Sequence, residues 1–235
     1  MSLQKYFFKN KITYKLYLFY NLYIRHKCFI NRPQYSQWGE DLFIADYFKK
    51  KKNGTYFDIG CFHPIMYSNT CLLYNKGWRG VNLDINPTSI DLFNIIRPDD
   101  FNLCTTIDKK NIEFRVYFDH PLSPVNTLDK EYYNNSKKMF FKDSLIQSVK
   151  SKSIDEILKL SGVNKVDFLN IDVEGMDLKI LSQLIPSKLQ PQLISVETHN
   201  VDGSKSDECD KIHELLKNCG YTCYKRVGPS TLYIN

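Results

Sequence analysis

The 235-residue chain lacks several features that would take it out of the ordinary class of single packed domains. Its seven cysteines (28, 61, 71, 104, 209, 219 and 223) form no Cys-x-x-Cys pair, and their odd number argues against a closed disulfide framework. Reduced thiols in a cytoplasmic protein are the expectation. No apolar run approaches the roughly twenty residues of a membrane span. The stretch 16–24 is broken by Asn21, and no small-residue cleavage site of a secretory leader follows it. Flexible linkers are absent, and low complexity is confined to the lysine run at 49–52. Excess acid is missing too: the net charge is +6, much of it in the first segment and in short lysine runs that read first as solvated faces. With 43% hydrophobic residues, the chain is long enough to bury one core without metal or disulfide staples.

Cys209, His213, Cys219 and Cys223 are all zinc-ligand types. Cys219 nevertheless falls well round the helix from Cys209 and His213, and Gly220 is a normal helix stop, so the spacing favours no zinc site. The first segment, YFFKNKITYKLYLFYNLYIRHKCF, sets lysines and Arg25 beside tyrosines. That composition suits an interfacial helix or docking element; the plainer reading is an N-terminal helix packed on the domain. Residues 1–33 are therefore expected to form an aromatic-basic helical segment and 34–235 the main domain. Peripheral membrane contact through residues 1–30 would place a cytoplasmic protein at a membrane surface.

From residue 35 onward strand-like and helix-like runs alternate: QWGEDLFIADYFKKK, TYFDIG, NTCLLYNKGW, GVNLDIN, TSIDLFNIIR and FNLCTTI. NIEFRVYF reads as an extra strand, and residues 119–148 as a long polar loop with a possible helical turn of its own. SIDEILKLSG is a helix capped by Ser153 with Glu156 in capping-box spacing. The strands KVDFLNID and PQLISVETH follow, separated by the helix MDLKILSQLI; then come a helix and the pair YTCYKRV and STLYIN. This order predicts an α/β, doubly wound, mainly parallel sheet. The turn at Gly228-Pro229 is too short for a crossover, so the last strand should be antiparallel, as in methyltransferase-type sheets rather than ordinary dinucleotide folds.

In TYFDIGCFHPIMYSNT, Asp58 and Gly60 end the first strand, yet Phe62, His63 and Pro64 stand where a phosphate cradle would need glycines. S-adenosylmethionine has no phosphate. Its amino-acid end and ribose can be held by Asp58, the backbone at Gly60, and polar groups such as Asn69 and Thr70. Asp84, ending VNLDINP, can accept both ribose hydroxyls; the same acid would serve NAD, so it supports a nucleoside cofactor without choosing which.

These residues bring the sequence close to a known group. Through YSQWGEDLFI, YFDIGCFHPIMYSNTCLLYNKGWRGVNLDINP, VDFLNIDVEGMDLKIL and ELLKNCGYTCYKRVGPSTLYI, covering residues 34–235, it resembles the FkbM family of S-adenosylmethionine-dependent methyltransferases. The resemblance implies a class I methyltransferase, Rossmann-like fold and O-methylation of a hydroxyl on a sugar, glycan or natural product, often in polysaccharide or glycolipid pathways. It assigns Asp58, Gly60, Asn69 and Thr70 to the methionine end, Asp84 to the ribose, and the turn at Asp108 to the adenine side. His63 and Pro64 replace the Asn and Gly of simpler versions of the motif, as in one branch of the family, which puts His63 in the cofactor set with its contacts open.

Transfer to an alcohol needs in-line positioning and a base or metal to take the proton. Asp172 and Glu174 end one strand and Glu197 and His199 the next, each pair two residues apart. Asp172, Glu174 and His199 are the expected catalytic groups, and Asp172, Glu197 and His199 could hold Mg²⁺ or Mn²⁺. Glu174 has a structural role available as well, opening a helix where a carboxylate suits the dipole. Two other classes compete: a nucleic-acid methyltransferase, which the basic charge permits although no RNA-binding motif is visible and no specific nucleic acid is expected, and an inactive module docked at a membrane in glycan assembly. A sugar or glycan is the expected acceptor.

Overall fold

The computed structural model describes residues 10–30, 32–118, 120–123, 126–136, 139, 145–173, 175–184 and 189–235. Its centre is a seven-stranded sheet of β1 (Thr55–Ile59), β2 (Arg79–Asp84), β3 (Phe101–Cys104), β7 (Phe168–Ile171), β8 (Leu193–Glu197), β9 (Thr222–Val227) and β10 (Ser230–Ile234). The strand order is β3-β2-β1-β7-β8-β10-β9. Neighbours from β3 to β8 are parallel, and β10 is antiparallel to both β8 and β9. The hairpin through Gly228-Pro229 thus inserts the last strand between β8 and β9, the antiparallel ending that the short turn requires.

Alternation within the strands fills two cores. Phe57, Ile59, Leu169, Ile171, Ile194 and Val196 face one side of the sheet, against α6 (Ile154–Ser161), α7 (Asp177–Leu184) and α8 (Cys209–Asn218). Tyr56, Phe168, Leu193 and Leu232 face the other, against α2 (Glu40–Tyr47), α3 (Cys71–Asn75) and Trp78. Helix α6 starts as its capping box dictates, with Ser153 Oγ accepting from the Glu156 amide at 3.2 Å and Gly162 closing it in the left-handed region.

On the α2 side one transverse row of the sheet is polar. The register aligns Asn102, Asn82, Asp58, Asn170 and Ser195 across five strands. Such a row is tolerated inside a core only when its members bond one another. Asn170 Nδ2 donates to Asp58 Oδ1 at 2.9 Å, and Asn82 Nδ2 donates to Asn102 Oδ1 at 2.8 Å and to Asp100 Oδ2 at 3.0 Å.

Of residues 119–148, expected to be a polar loop with a possible helical turn, the described ones contain regular elements. They include α5 (Lys130–Ser136) and the start of β6 (Leu145–Lys152), which pairs antiparallel with β5 (Glu113–Phe118) and parallel with β4 (Thr106–Ile107). The stretch FNLCTTI is likewise two strands, β3 and β4. They part at Thr105, whose hydroxyl donates to the Lys150 carbonyl at 2.7 Å. Ahead of the sheet, α1 (Lys11–Phe19) runs into a π-helical turn (Tyr20–Arg25) and a short 3₁₀ turn (Lys27–Phe29). Leu18 and Leu22 bury against Leu122 and against Leu92 of α4 (Pro87–Ile96). All seven cysteines are free, and among the described residues no helix is long and apolar enough to cross a membrane.

Candidate active site

The strand order reverses between β1 and β7, so the crevice beyond the carboxyl ends of those strands is where a ligand would enter. A cavity of about 470 Å³ opens there, running from Thr105 and Asp84 past Gly60 and Asp172 to Glu197 and His199. That volume lies in the range of small-molecule sites.

Gly60 makes the floor of the cleft possible. Its φ is +78°, and a Cβ there would stand 1.7 Å from the Asp172 carbonyl oxygen. The chain leaving β1 crosses that leaving β7 in contact, and Asp172 N donates to the Ile59 carbonyl at 3.0 Å. The glycine thus serves chain crossing, with no need of a phosphate. Beyond it, Phe62 and Tyr67 hold positive φ (51° and 56°) without being glycine, a strain that collects at ligand sites. Both line the cavity.

Asp84 is nearly buried yet lines the cavity. Its Oδ2 accepts from the Phe62 amide at 2.8 Å and its Oδ1 from the Asn86 amide at 2.7 Å. Burial pushes its carboxyl up to about 6, against the pull of those amides. Each oxygen has lone pairs beyond the one an amide uses, so the group is held in place with acceptor capacity left over.

Asp58 and Asn69 also reach the cavity. Asp58 Oδ2 accepts from Thr70 Oγ1 at 2.7 Å, and Asn69 Nδ2 donates to Asn170 Oδ1 at 2.9 Å. Burial raises the Asp58 carboxyl. Thr70 lies behind this layer, fully buried and outside the cavity lining. There it accepts from Arg97 Nη1 at 2.8 Å.

Two expected cofactor contacts lie elsewhere. His63 is 1% exposed and absent from the lining. Its Nδ1 accepts from the amides of Ile65 (3.1 Å) and Met66 (3.0 Å), and its ring meets His26 edge-on at 5.5 Å. Burial, with His26 and Arg97 nearby, lowers its pKa to about 3, so the acceptor nitrogen keeps its lone pair. It ties together the turn that glycines would otherwise form. Asp108 faces Lys179 at 3.5 Å and accepts from the Lys110 amide; Thr105 and Thr106, just before it, line the wall instead.

At the other end, Asp172, Glu197 and His199 all line the cavity. Both strands stop before the two-residue pattern completes: β7 at Ile171 and β8 at Glu197. Glu174 lies outside the described residues. His199 Nδ1 is 2.8 Å from Thr198 Oγ1, itself 2.6 Å from Thr231 Oγ1. Partial burial, then Arg226, lowers the imidazole pKa, which leaves it neutral at physiological pH. Among the described residues no three of His, Cys, Asp and Glu gather closely enough to hold a metal ion. Asp172, Glu197 and His199 share the cavity lining without gathering into such a group.

Sequence reading missed Glu40, Trp38 and Asn170, all in the lining. Glu40 opens α2, is 3% exposed, accepts from the Trp38 amide at 2.9 Å and from Ser230 Oγ at 3.4 Å, and is raised by burial. Trp38 packs over Gly228 so closely that a Cβ there would reach its ring at 2.4 Å. An asparagine inside the apolar run FLNI was the available signal for Asn170.

A family model described as the methyltransferase FkbM domain matches residues 54–223. No curated protein and no solved structure matches the chain. The matched range starts just before β1 and ends within β9, so it takes in both ends of the cavity but neither α2 nor β10.

Proposed function

The chain belongs to the FkbM methyltransferase family, and from that premise we propose that it is an S-adenosylmethionine-dependent O-methyltransferase acting on a hydroxyl of a sugar, glycan or related small molecule. The observation that carries this reading is the composition of the cavity. A nearly buried acceptor carboxylate, Asp84, stands at one end beside a loop with no phosphate cradle, and carboxylates with a neutral imidazole stand at the other. The residues fit the cofactor: Asp84 keeps lone pairs for ribose hydroxyls, and Asn69 and Asp58 offer polar atoms to the amino-acid end, while Thr105 and Thr106 wall the adenine side.

When bound, S-adenosylmethionine supplies an electrophilic methyl group. The protein's task is to align an alcohol and accept its proton. His199, neutral and oriented through Thr198, is the base, and Asp172, at the crossing with Gly60, is the carboxylate that orients the hydroxyl. The imidazole would take the acceptor hydroxyl's proton, leaving its oxygen to receive the methyl group that the bound cofactor would supply as its sulfur departs as a neutral thioether.

Labelled-methyl transfer from S-adenosylmethionine to a panel of sugars, nucleotide sugars and lipid-linked glycans tests the reading, alongside calorimetry with S-adenosylmethionine, its demethylated product and NAD. Saturable binding of the first two with labelled hydroxyl ethers is expected. Tight NAD binding, or label only in nucleic acid, would overturn the assignment.

A further inference from the structure

Helix α1 and its π-helical extension are apolar on two opposite sides. One side is covered: Leu18 and Leu22 pack against Leu92 and Leu122, and Tyr14 Oη donates to Asp91 at 2.6 Å. The other side is open. Ile12, Leu16, Phe19, Tyr20, Tyr23 and Ile24 are 42–70% exposed, and at helical spacing they fall on one continuous stripe. The rings of Phe19 and Tyr23 touch along it, with centroids 4.8 Å apart. A stripe of this size on an anchored helix is unusual for a surface in contact only with water.

Charge identifies what would cover it. Residues 1–39 contain seven of the chain's 32 lysines and arginines and not one acid, leaving 25 basic against all 26 acidic residues in the remainder. The whole positive balance of the protein therefore sits in this segment. Lys11, Lys15, Arg25 and Lys27 are exposed on it, and none of them makes an ion pair among the described residues. Pairing two copies through the stripe would set two segments of the same uncompensated positive charge against each other.

We propose that this stripe docks the protein on an anionic lipid surface, the apolar side chains entering the headgroup boundary and the four cations meeting lipid phosphates. The anchor is tied to the cavity. Leu122 beneath α1 neighbours Ser123, which lines the cavity, and His26 at the end of the segment contacts His63 in the loop after β1. Docking therefore places the cavity beside the lipid headgroups.

The test is flotation of the full-length protein with vesicles of phosphatidylcholine alone and of phosphatidylcholine with about one-third phosphatidylglycerol. Its readout does not depend on methyl transfer. Flotation with the anionic vesicles only, weakened by salt, is expected. Leu16→Asp with Phe19→Asp should abolish it, and Lys11→Ala or Lys15→Ala should each weaken partitioning about fivefold. Leu160→Asp, at an equally exposed apolar residue on α6, should leave it unchanged. Thermal melting of each variant controls for folding, which substitutions at exposed positions should preserve. Equal binding to neutral vesicles, no binding to either, or a doubled mass in light scattering that the Leu16 and Phe19 variant abolishes would overturn the proposal, the last in favour of a second copy.

Discussion

On the β1–β2 side of the cavity the polar side chains bond chiefly to one another. Asp58, Thr70 and Ser68 converge on Arg97, whose guanidinium is 0% exposed, donates to Thr70, Ser68 and the Pro64 carbonyl, and stacks near Phe93 and Tyr74. Asp100 takes the Tyr56 hydroxyl, the Gly80 amide and Asn82. On the β8–β10 side the corresponding groups stay half in solvent: Glu197 and His199 are partly exposed, and Trp38 presents open ring surface. Under the proposed function the first arrangement would fix a backbone shape for the cofactor, and the second would leave side chains able to adapt to an acceptor. Substitutions should therefore cost stability on one side and turnover on the other.

The largest effect is expected where that network is most enclosed. Arg97→Met removes a buried cation but leaves Asp58 and Asp100 without its field, and should destabilise the protein by about 3–5 kcal/mol, the scale of a broken buried ionic network. Urea unfolding measures it. A loss below about 1 kcal/mol would mean that water, and not Arg97, satisfies the polar groups on this side.

On the open side the cost should appear in rate. His199→Ala and Asp172→Asn are expected to lower turnover by roughly 10² or more, the scale of a lost general base. Stability should hold within about 0.5 kcal/mol for His199, as for most half-exposed sites, and cofactor affinity within a few fold for both. Equal loss of affinity and turnover would erase the distinction between the two ends of the cavity.

The contrast also explains what could be read in the sequence. The mainly parallel sheet and its antiparallel ending follow from the alternation of strands and helices and from the short turn at Gly228-Pro229, both local signals. Asp84 and Asp172, which line the cavity, stand out in the sequence because each follows an apolar strand run. His63 was misplaced: a histidine in a cofactor loop reads as a contact, and only the three-dimensional turn reveals that its Nδ1 accepts the Ile65 and Met66 amides. Arg97 was hidden because an arginine at a helix end reads as a solvated cap, and its burial depends on Thr70 and Ser68, 27 and 29 positions away. Polar residues at matching places in YFDIG, VNLDI, FLNID and LISVE were visible one by one. Their alignment into a row became evident only with the register.

Within the closed side, Asp84 lines the cavity with acceptor capacity left on both oxygens. Asp84→Ala should weaken S-adenosylmethionine and its demethylated product by about 1.5–3 kcal/mol, the loss of charge-assisted hydrogen bonds. Calorimetry would register unchanged affinity if the ribose is held elsewhere.

The smallest effect distinguishes the sides by pH. Burial holds the Asp84 carboxyl near 6, above the ~3.9 of a free aspartate. Because the folded form holds the proton more tightly than the unfolded one, this group favours folding in acid, and that contribution is lost as pH rises from about 4 through 6. Ribose hydroxyls donate, so ligand binding wants the opposite state, the carboxylate. Between pH 7 and pH 5 the affinity for the demethylated product should fall by about tenfold, with a proton released on binding near pH 6. His199 shifts the other way, below its ordinary value, through burial and Arg226. Turnover at saturating cofactor should therefore reach its plateau before pH 7, limited on the acid side by imidazole protonation. Calorimetry in buffers of different ionisation enthalpy reads the proton directly. In Asp84→Asn the pH slope of affinity should vanish while the acid limb of turnover stays, whereas a slope persisting in that variant would assign the titration to another group.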